Sequence, residues 1–375
     1  MNAIGPRSDS SFIPHPSSFG RVAVIHDWLT GMRGGEHVLE GILDLVPEAE
    51  VFTLFHFPGT VSRKIESRTI HTSALQRIAS RVSDYRKLLP LFPRAVRKWD
   101  LSRFDLIISS SHCVAKGVDA RGRPHLCYCH TPMRYIWDRF DDYFPRSRPL
   151  LRAAVSMFRP GLRRWDVATA AGVTRFVANS NFVRDRIAKY YRRDADVIHP
   201  FVGDAFLQAP LRRDREDFDL IISALVPYKR LDIALQTGRR TVVIGDGPMR
   251  RRLPAHAGPN VSFLGSVSTE VILDHLSRAR ALILPGVEDF GITPVEAMAL
   301  GTPVVAFRAG GALDTVVENR TGIFFDEPVV HSLAGALEAA DAHRWDRDAM
   351  REHARAFSRE RFQRQMTDAL RQVAS

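Results

Sequence analysis

Two glutamates, Glu288 and Glu296, stand with seven residues between them in GVEDFGITPVEAMALGTPVVA, residues 286–306. The apolar run ALILPG before them reads as a strand, and the pattern from Pro294 onward reads as a helix. Thr293 suits the N-cap of that helix, Pro294 its first position, and Glu296 falls where a capping-box glutamate belongs. Gly301 suits the helix end, and TPVVAF resumes as the next strand. Capping therefore accounts for Glu296. It does not account for Glu288, in a loop at the carboxyl end of a strand, where open α/β sheets bind ligands. Gly291 lets a ligand approach the backbone just before the helix start, whose free amides favour an anion.

Other stretches carry the same chemistry. LVPYKRLD places Lys229 and Arg230 at a helix start, where the macrodipole disfavours cations and a phosphate partner offsets that cost. VVIGDGPMRRRL, with Gly245 and Gly247, begins like a dinucleotide fingerprint, but Arg250 occupies the third glycine position. It reads as a tight turn beside a nucleotide site, and no NAD is expected. In TGMRGGEHVLE, Gly34 and Gly35 either let the backbone approach a phosphate or form a plain strand-to-helix turn. SSSHCVAKG and CYCHTPMRYIWD put His112 and His130 at strand ends. A lone histidine is usually structural, and His130, followed by Thr131, Pro132 and an aromatic loop, is the stronger site candidate. DAD at 194–196 looks like a metal-binding pair, but two carboxylates two apart recur by chance, so no metal site is expected.

Composition bounds the answer. The 375 residues are 45% hydrophobic and 25% charged, values of a soluble globular protein long enough for two domains. No run of eighteen apolar residues occurs, so no membrane span is expected. Residues 1–19 lack the basic start and apolar core of a secretory signal, and their Ser and Pro content reads as a disordered leader. Cys113, Cys127 and Cys129 have no metal spacing and read as buried thiols. The net charge is +11, but residues 1–200 hold 31 Lys and Arg against 19 Asp and Glu, a balance of +12. A basic first half implies an anionic partner: a phospholipid surface, a phosphorylated substrate or nucleic acid. Residues 75–100 interleave Leu, Phe, Tyr and Trp with Arg and Lys, as in a surface resting on anionic lipid or a helix pair packed on a sheet. No nucleic-acid recognition module matches, so nucleic acid is not expected.

These residues need a scaffold that gathers strand ends. Six strand candidates precede residue 200: RVAVIH, AEVFTLF, DLIISSS, HLCYCH, RFVANS and DVIHP. Six follow it: DLIISALV, TVVIGDG, VSFLG, ALILPG, PVVAF and GIFFD. Helical patterns such as EHVLEGILDLV and STEVILDHLSRA lie between. Runs without strict alternation suit parallel strands buried on both faces, hence two doubly wound α/β domains. The expected division is 1–19 leader, 20–204 first domain, 205–357 second domain and 358–375 a helix that packs back on the first. Residues 200–218, polar and weakly periodic, read as the linker.

The set GGEHVLE, CYCHTPMRYIWD, FVANSNFVRDRI, VIHPFV, ISALVPYKRLD, IGDGP, FLGSVS and EDFGITPVEAMALGTPVVAFRAGGALDTV resembles the retaining glycosyltransferases of family four, from about Arg21 into the last helix. Within them it is most similar to bacterial mannosyltransferases of polysaccharide and O-antigen assembly. The resemblance implies the GT-B fold, two Rossmann-like domains facing across a cleft. It implies a nucleotide-sugar donor, with GDP-mannose the best match, and a lipid-linked or glycan acceptor. It also implies that no metal or cofactor is needed, and a cytoplasmic protein, peripheral at the inner membrane face. Glu288 would lie near the donor sugar, Glu296 on the ribose, and the Phe290, Gly291, Ile292 and Thr293 amides along sugar and diphosphate. Lys229 would neutralise the diphosphate, His130 would sit beside the transferred sugar, and Gly35 would face the diphosphate from a loop. Gly245 and Gly247 would adjoin the donor, with His112 and Arg134 in acceptor or accessory roles. Many relatives carry an arginine five residues before the lysine. Here that position is Ala224, leaving Arg230 as the candidate second cation. Two alternatives stay open: a nucleotide-sugar epimerase on the same fold, and a non-catalytic protein that binds anionic lipid.

Overall fold

The computed structural model describes residues 19–79, 85–144, 146–147, 149–212 and 214–375. The expected leader lies outside them except Phe19, which is buried against the first sheet. The short apolar runs of the first half form β1 (Val22–His26), β2 (Glu50–Thr53), β4 (Leu106–Ser111), β5 (His125–Cys129), β6 (Arg175–Ala178) and β7 (Ala195–Val197), with β3 (Ile70–Thr72) at the edge. The sheet is entirely parallel, in the order β3-β2-β1-β4-β5-β6-β7. The second half forms β8 (Asp219–Ile222), β9 (Thr241–Ile244), β10 (Val261–Gly265), β11 (Leu282–Leu284), β12 (Val304–Phe307) and β13 (Gly322–Phe325). It too is parallel, in the order β10-β9-β8-β11-β12-β13. All twelve expected strands appear. The thirteenth, β3, is a half-exposed Ile-His-Thr, too mixed to leave a pattern.

Burial explains the composition of the strands. Every residue of β1, β4 and β5 is inaccessible, because helices cover both faces and water solvates neither. Chain order reverses between β1 and β4 in the first sheet and between β8 and β11 in the second. At such a reversal the helices on either side diverge and leave a crevice at the carboxyl ends of the strands. Those four ends lead to His26, His112, Lys229 and Glu288.

The stretch expected as a linker is better tied than its polarity suggests. Val202 and Phe206 are buried in the second-domain core, and Asp204–Gln208 is a short helix. Arg215 donates to the carbonyls of Leu276, Ser277 and Ala279, satisfying a helix end that would otherwise lack partners. The final helix, Arg359–Ala374, lays Phe362, Met366, Ala369, Leu370 and Val373 into the core of the first sheet. Phe362 there meets the rings of Tyr128 and Phe201. In the basic stretch 75–100, residues 80–84 lie outside the described residues. Of the rest, Tyr85, Leu88, Leu89, Phe92, Val96 and Trp99 pack into the core. They form the packed face of these short helices, while Ile78 and Leu91 stay exposed on the other side. All three cysteines are buried and free. No helix among the described residues is long and apolar enough to cross a membrane.

Candidate active site

In the second domain two loops leave the switch point. The loop after β8 ends in a tight turn, Pro227–Lys229. The loop after β11 passes so close that a Cβ on Gly286 would lie 2.6 Å from the Lys229 Cα, so only glycine fits. That contact brings the Lys229 ammonium onto the Glu288 carboxylate as a direct ion pair, with side chains only 11% and 19% exposed. Gly245 and Gly247 form the turn after β9, whose Asp246 carbonyl accepts from the Leu225 amide at 3.0 Å. They therefore support the β8 exit loop from beside it.

The helix after Glu288 runs Ile292–Ala299, and its N-cap is Gly291, at φ +80°. Thr293 is thus not the cap, Pro294 is not the first helical residue, and Glu296 closes no capping box. The left-handed backbone at Gly291, open to glycine, starts the helix earlier than the Thr-Pro signal implies. No side chain caps this helix, so its first-turn amides keep their capacity to bind an acceptor. Phe290 is buried behind them. At the far end Gly301, at φ +66°, follows the cap residue Leu300 as expected. Glu296 lies in electrostatic reach of His37, but burial dominates and pushes its carboxyl up to about 7.

In the first domain Gly35 belongs to the first turn of the helix Gly34–Leu45, not to a loop. A Cβ there would sit 3.7 Å from the His26 ring and 3.8 Å from His130 Nε2. His130 is one end of a buried chain: its Nε2 meets Ser110 Oγ at 2.8 Å, and that oxygen meets His26 Nδ1 at 3.0 Å. His26 Nε2 in turn lies 3.6 Å from Glu36. Burial, reinforced by His112 and His26, takes His130 down to about 3, so it is a neutral imidazole at physiological pH. His112 is likewise held low by burial, against the pull of Asp27. Asp27 accepts four successive amides, from His112 to Ala115, and so fixes the turn that leaves β4.

Asp289 joins the two switch points. Its carboxylate accepts from Thr131 Oγ1 at 3.1 Å, from Arg186 at 2.7 Å and from Arg134, all in the first domain. Its carbonyl accepts from Ser180 Oγ. Burial would raise this carboxyl, but Arg134, Arg186 and Lys229 hold it below its ordinary value. A second tie runs from Asp314 to the Asn181 amide at 2.6 Å and to His199 at 3.1 Å. Since His130 adjoins Thr131 and Glu288 adjoins Asp289, the seam sets the two halves of the site together. Arg134 also donates to the Tyr228 hydroxyl at 3.3 Å, one residue from Lys229. Arg230 does not join this group: its guanidinium is bound to Asp232 and the Pro328 carbonyl. Asp196 of the DAD stretch pairs with Arg175.

Two family models cover most of the described chain. Glycosyltransferase Family 4 matches residues 48–206, and Glycosyl transferases group 1 matches residues 207–357. The chain belongs to glycosyltransferase family four. Within this family it is 32% identical to a GDP-mannose-dependent alpha-(1-6)-phosphatidylinositol monomannoside mannosyltransferase of Mycolicibacterium smegmatis, over 48% of this chain and 55% of that one. It is also 32% identical to a protein of the same description from Mycobacterium tuberculosis, over 33% of this chain and 34% of that one. The chain thus spans about a third to a half of the length of these curated relatives. Solved structures share the GT-B fold at low identity. The lipopolysaccharide outer core galactosyltransferase has a TM-score of 0.66 at 15% identity, covering 94% of this chain and 99% of that one. The Anabaena protein HepE in complex with UDP has 0.67 at 18%, covering 94% and 100%.

Two predictions follow from this geometry. Asp289→Asn leaves Arg134 without its countercharge and Arg186 with Asp138 alone, so it should lower stability by about 3 kcal/mol in the first transition of a denaturant unfolding curve. For Glu296, the folded protein holds a proton that the unfolded chain has lost between pH 4.5 and about 7. Stability from this group therefore falls as pH rises through that window. Glu296→Gln should raise the melting temperature above wild type at about pH 8, with the difference vanishing below about pH 4.

Proposed function

We propose that this protein is a metal-independent retaining glycosyltransferase that moves a hexose from a nucleotide sugar to a glycan or lipid-linked acceptor. The donor best supported is GDP-mannose and the setting polysaccharide or O-antigen assembly. One observation carries the reading: the Lys229–Glu288 pair lies beside the uncapped start of the Ile292–Ala299 helix, at the second-domain switch point. The choice of mannose is supported by the mycobacterial relatives, whose descriptions name GDP-mannose and a mannosyltransferase.

The chemistry follows from the leaving group. A nucleoside diphosphate departs readily when its developing charge is met, and Lys229 with the first-turn amides supplies a cation and fixed donors in a shielded site. Arg134, beside Tyr228, is better placed than Arg230 to add a second cation where Ala224 offers none. Glu288 accepts from donor sugar hydroxyls and shares Lys229 with the diphosphate. His130, held neutral, can hydrogen-bond the sugar without adding a charge that competes for the phosphate. Glu296 accepts from the ribose hydroxyls once ionised, so donor affinity rises with pH through about 7. Retention by double displacement needs a carboxylate nucleophile at the anomeric carbon. Glu288 is already bound to Lys229, which favours front-face attack, with the departing phosphate taking the acceptor proton.

A thermal-shift screen of nucleotide sugars with chelator present tests the proposal. GDP-mannose should raise the melting temperature most, and Lys229→Ala should lose the shift while keeping its fold. Absence of a shift with every nucleotide sugar would remove the reading. An epimerised sugar from donor alone would replace it with an epimerase.

A further inference from the structure

We infer that the outward face of the Pro149–Ala170 helix docks on an anionic lipid bilayer. This helix of 22 residues buries little of itself. Leu150 is 87% exposed, Met157 71%, Phe158 47% and Val167 40%. Leu150 and Met157 lie seven residues apart, two turns along one face, and exposed Ala153, Ala154, Pro160 and Ala168 extend the stripe. A soluble surface rarely carries so continuous an apolar strip without a partner.

Charge selects the occupant. The helix has one carboxylate, Asp166, and it is fully buried against the Lys116 ammonium at 2.9 Å. Its outward face therefore carries no negative charge. Arg164 is exposed on that face, and Arg146 and Arg152 bracket an open groove floored by Pro149, Ala153 and Ser156. Arg152 reaches back to Asp141 at 2.7 Å. Arg159 and Arg163 point the other way and donate to the Ile136 carbonyl at 2.8 and 2.7 Å, clipping the helix to the loop that carries Arg134. A second copy would bring arginine against arginine, on a chain already at +11. A bilayer offers acyl chains to Leu150, Met157 and Phe158 and phosphates to the arginines at one depth. The inference gives the proposed transferase a way to meet a lipid-linked acceptor, and it rests on that reading only for its purpose.

Flotation of the full chain with vesicles, with no sugar donor, tests it. The protein should float with phosphatidylcholine–phosphatidylglycerol vesicles, less with phosphatidylcholine alone, and less again in high salt. Leu150→Ser/Met157→Ser changes two exposed side chains, so the melting temperature and any nucleotide-sugar shift should stay at wild type while vesicle affinity falls by about tenfold. Arg146→Glu/Arg164→Glu should erase the preference for anionic vesicles. Equal flotation of wild type and the serine variant would overturn the inference, as would no flotation at all. Self-association of wild type that the serine variant abolishes would assign the face to a second copy instead. None of these outcomes alters the donor screen, so failure here and failure of the transferase reading are distinguishable.

Discussion

The carboxylate of Asp289 is the contact on which the cleft depends. It is a second-domain group buried among first-domain donors, Thr131, Arg134 and Arg186. Burying three charges is costly unless each is paired and hydrogen-bonded. Here the carboxylate meets two guanidiniums, Arg186 also meets Asp138, and Arg134 also meets Tyr228. The position of Asp289 in the chain makes the tie consequential. Glu288 precedes it and Phe290 follows, so whatever fixes Asp289 fixes the backbone that presents the ion pair and the helix start.

The two halves of the site are built differently. The second-domain half depends on close backbone approach: Gly286 lets the Lys229 turn come within contact, and Gly291 turns the chain into a helix with free amides. The first-domain half depends on buried polar order, with Glu36, His26, Ser110 and His130 in one connected chain and Asp27 holding the neighbouring turn. Burial has opposite effects across the cleft. It strips the proton from His130 and holds one on Glu296, leaving Lys229, Arg134 and Arg186 as the cations beside the ion pair and the seam.

Much of this was legible in the sequence where local chemistry decides the outcome. The other twelve strands declared themselves as short apolar runs, and Glu288 stood out because no capping role explained it. The cap assignment failed because a glycine in left-handed backbone at position 291 outranked the Thr-Pro signal. Arg230 misled because sequence adjacency to Lys229 says nothing of direction, and its guanidinium turned to Asp232. Asp289 was not legible at all: its arginine partners lie 155 and 103 residues away, and no spacing announces such a contact. The apolar face of the Pro149–Ala170 helix escaped notice because its arginines and its one aspartate mimic a solvated helix. Only the fold reveals that Asp166 is buried and the leucine and methionine are not.

The central claim is that residues from both domains meet one nucleotide across the Asp289 seam. Amide hydrogen exchange of the full chain, with and without saturating nucleoside diphosphate, measures it directly. The account predicts added protection together at residues 227–231, 287–297 and 130–136. Protection confined to one domain, or found away from these segments, would contradict it.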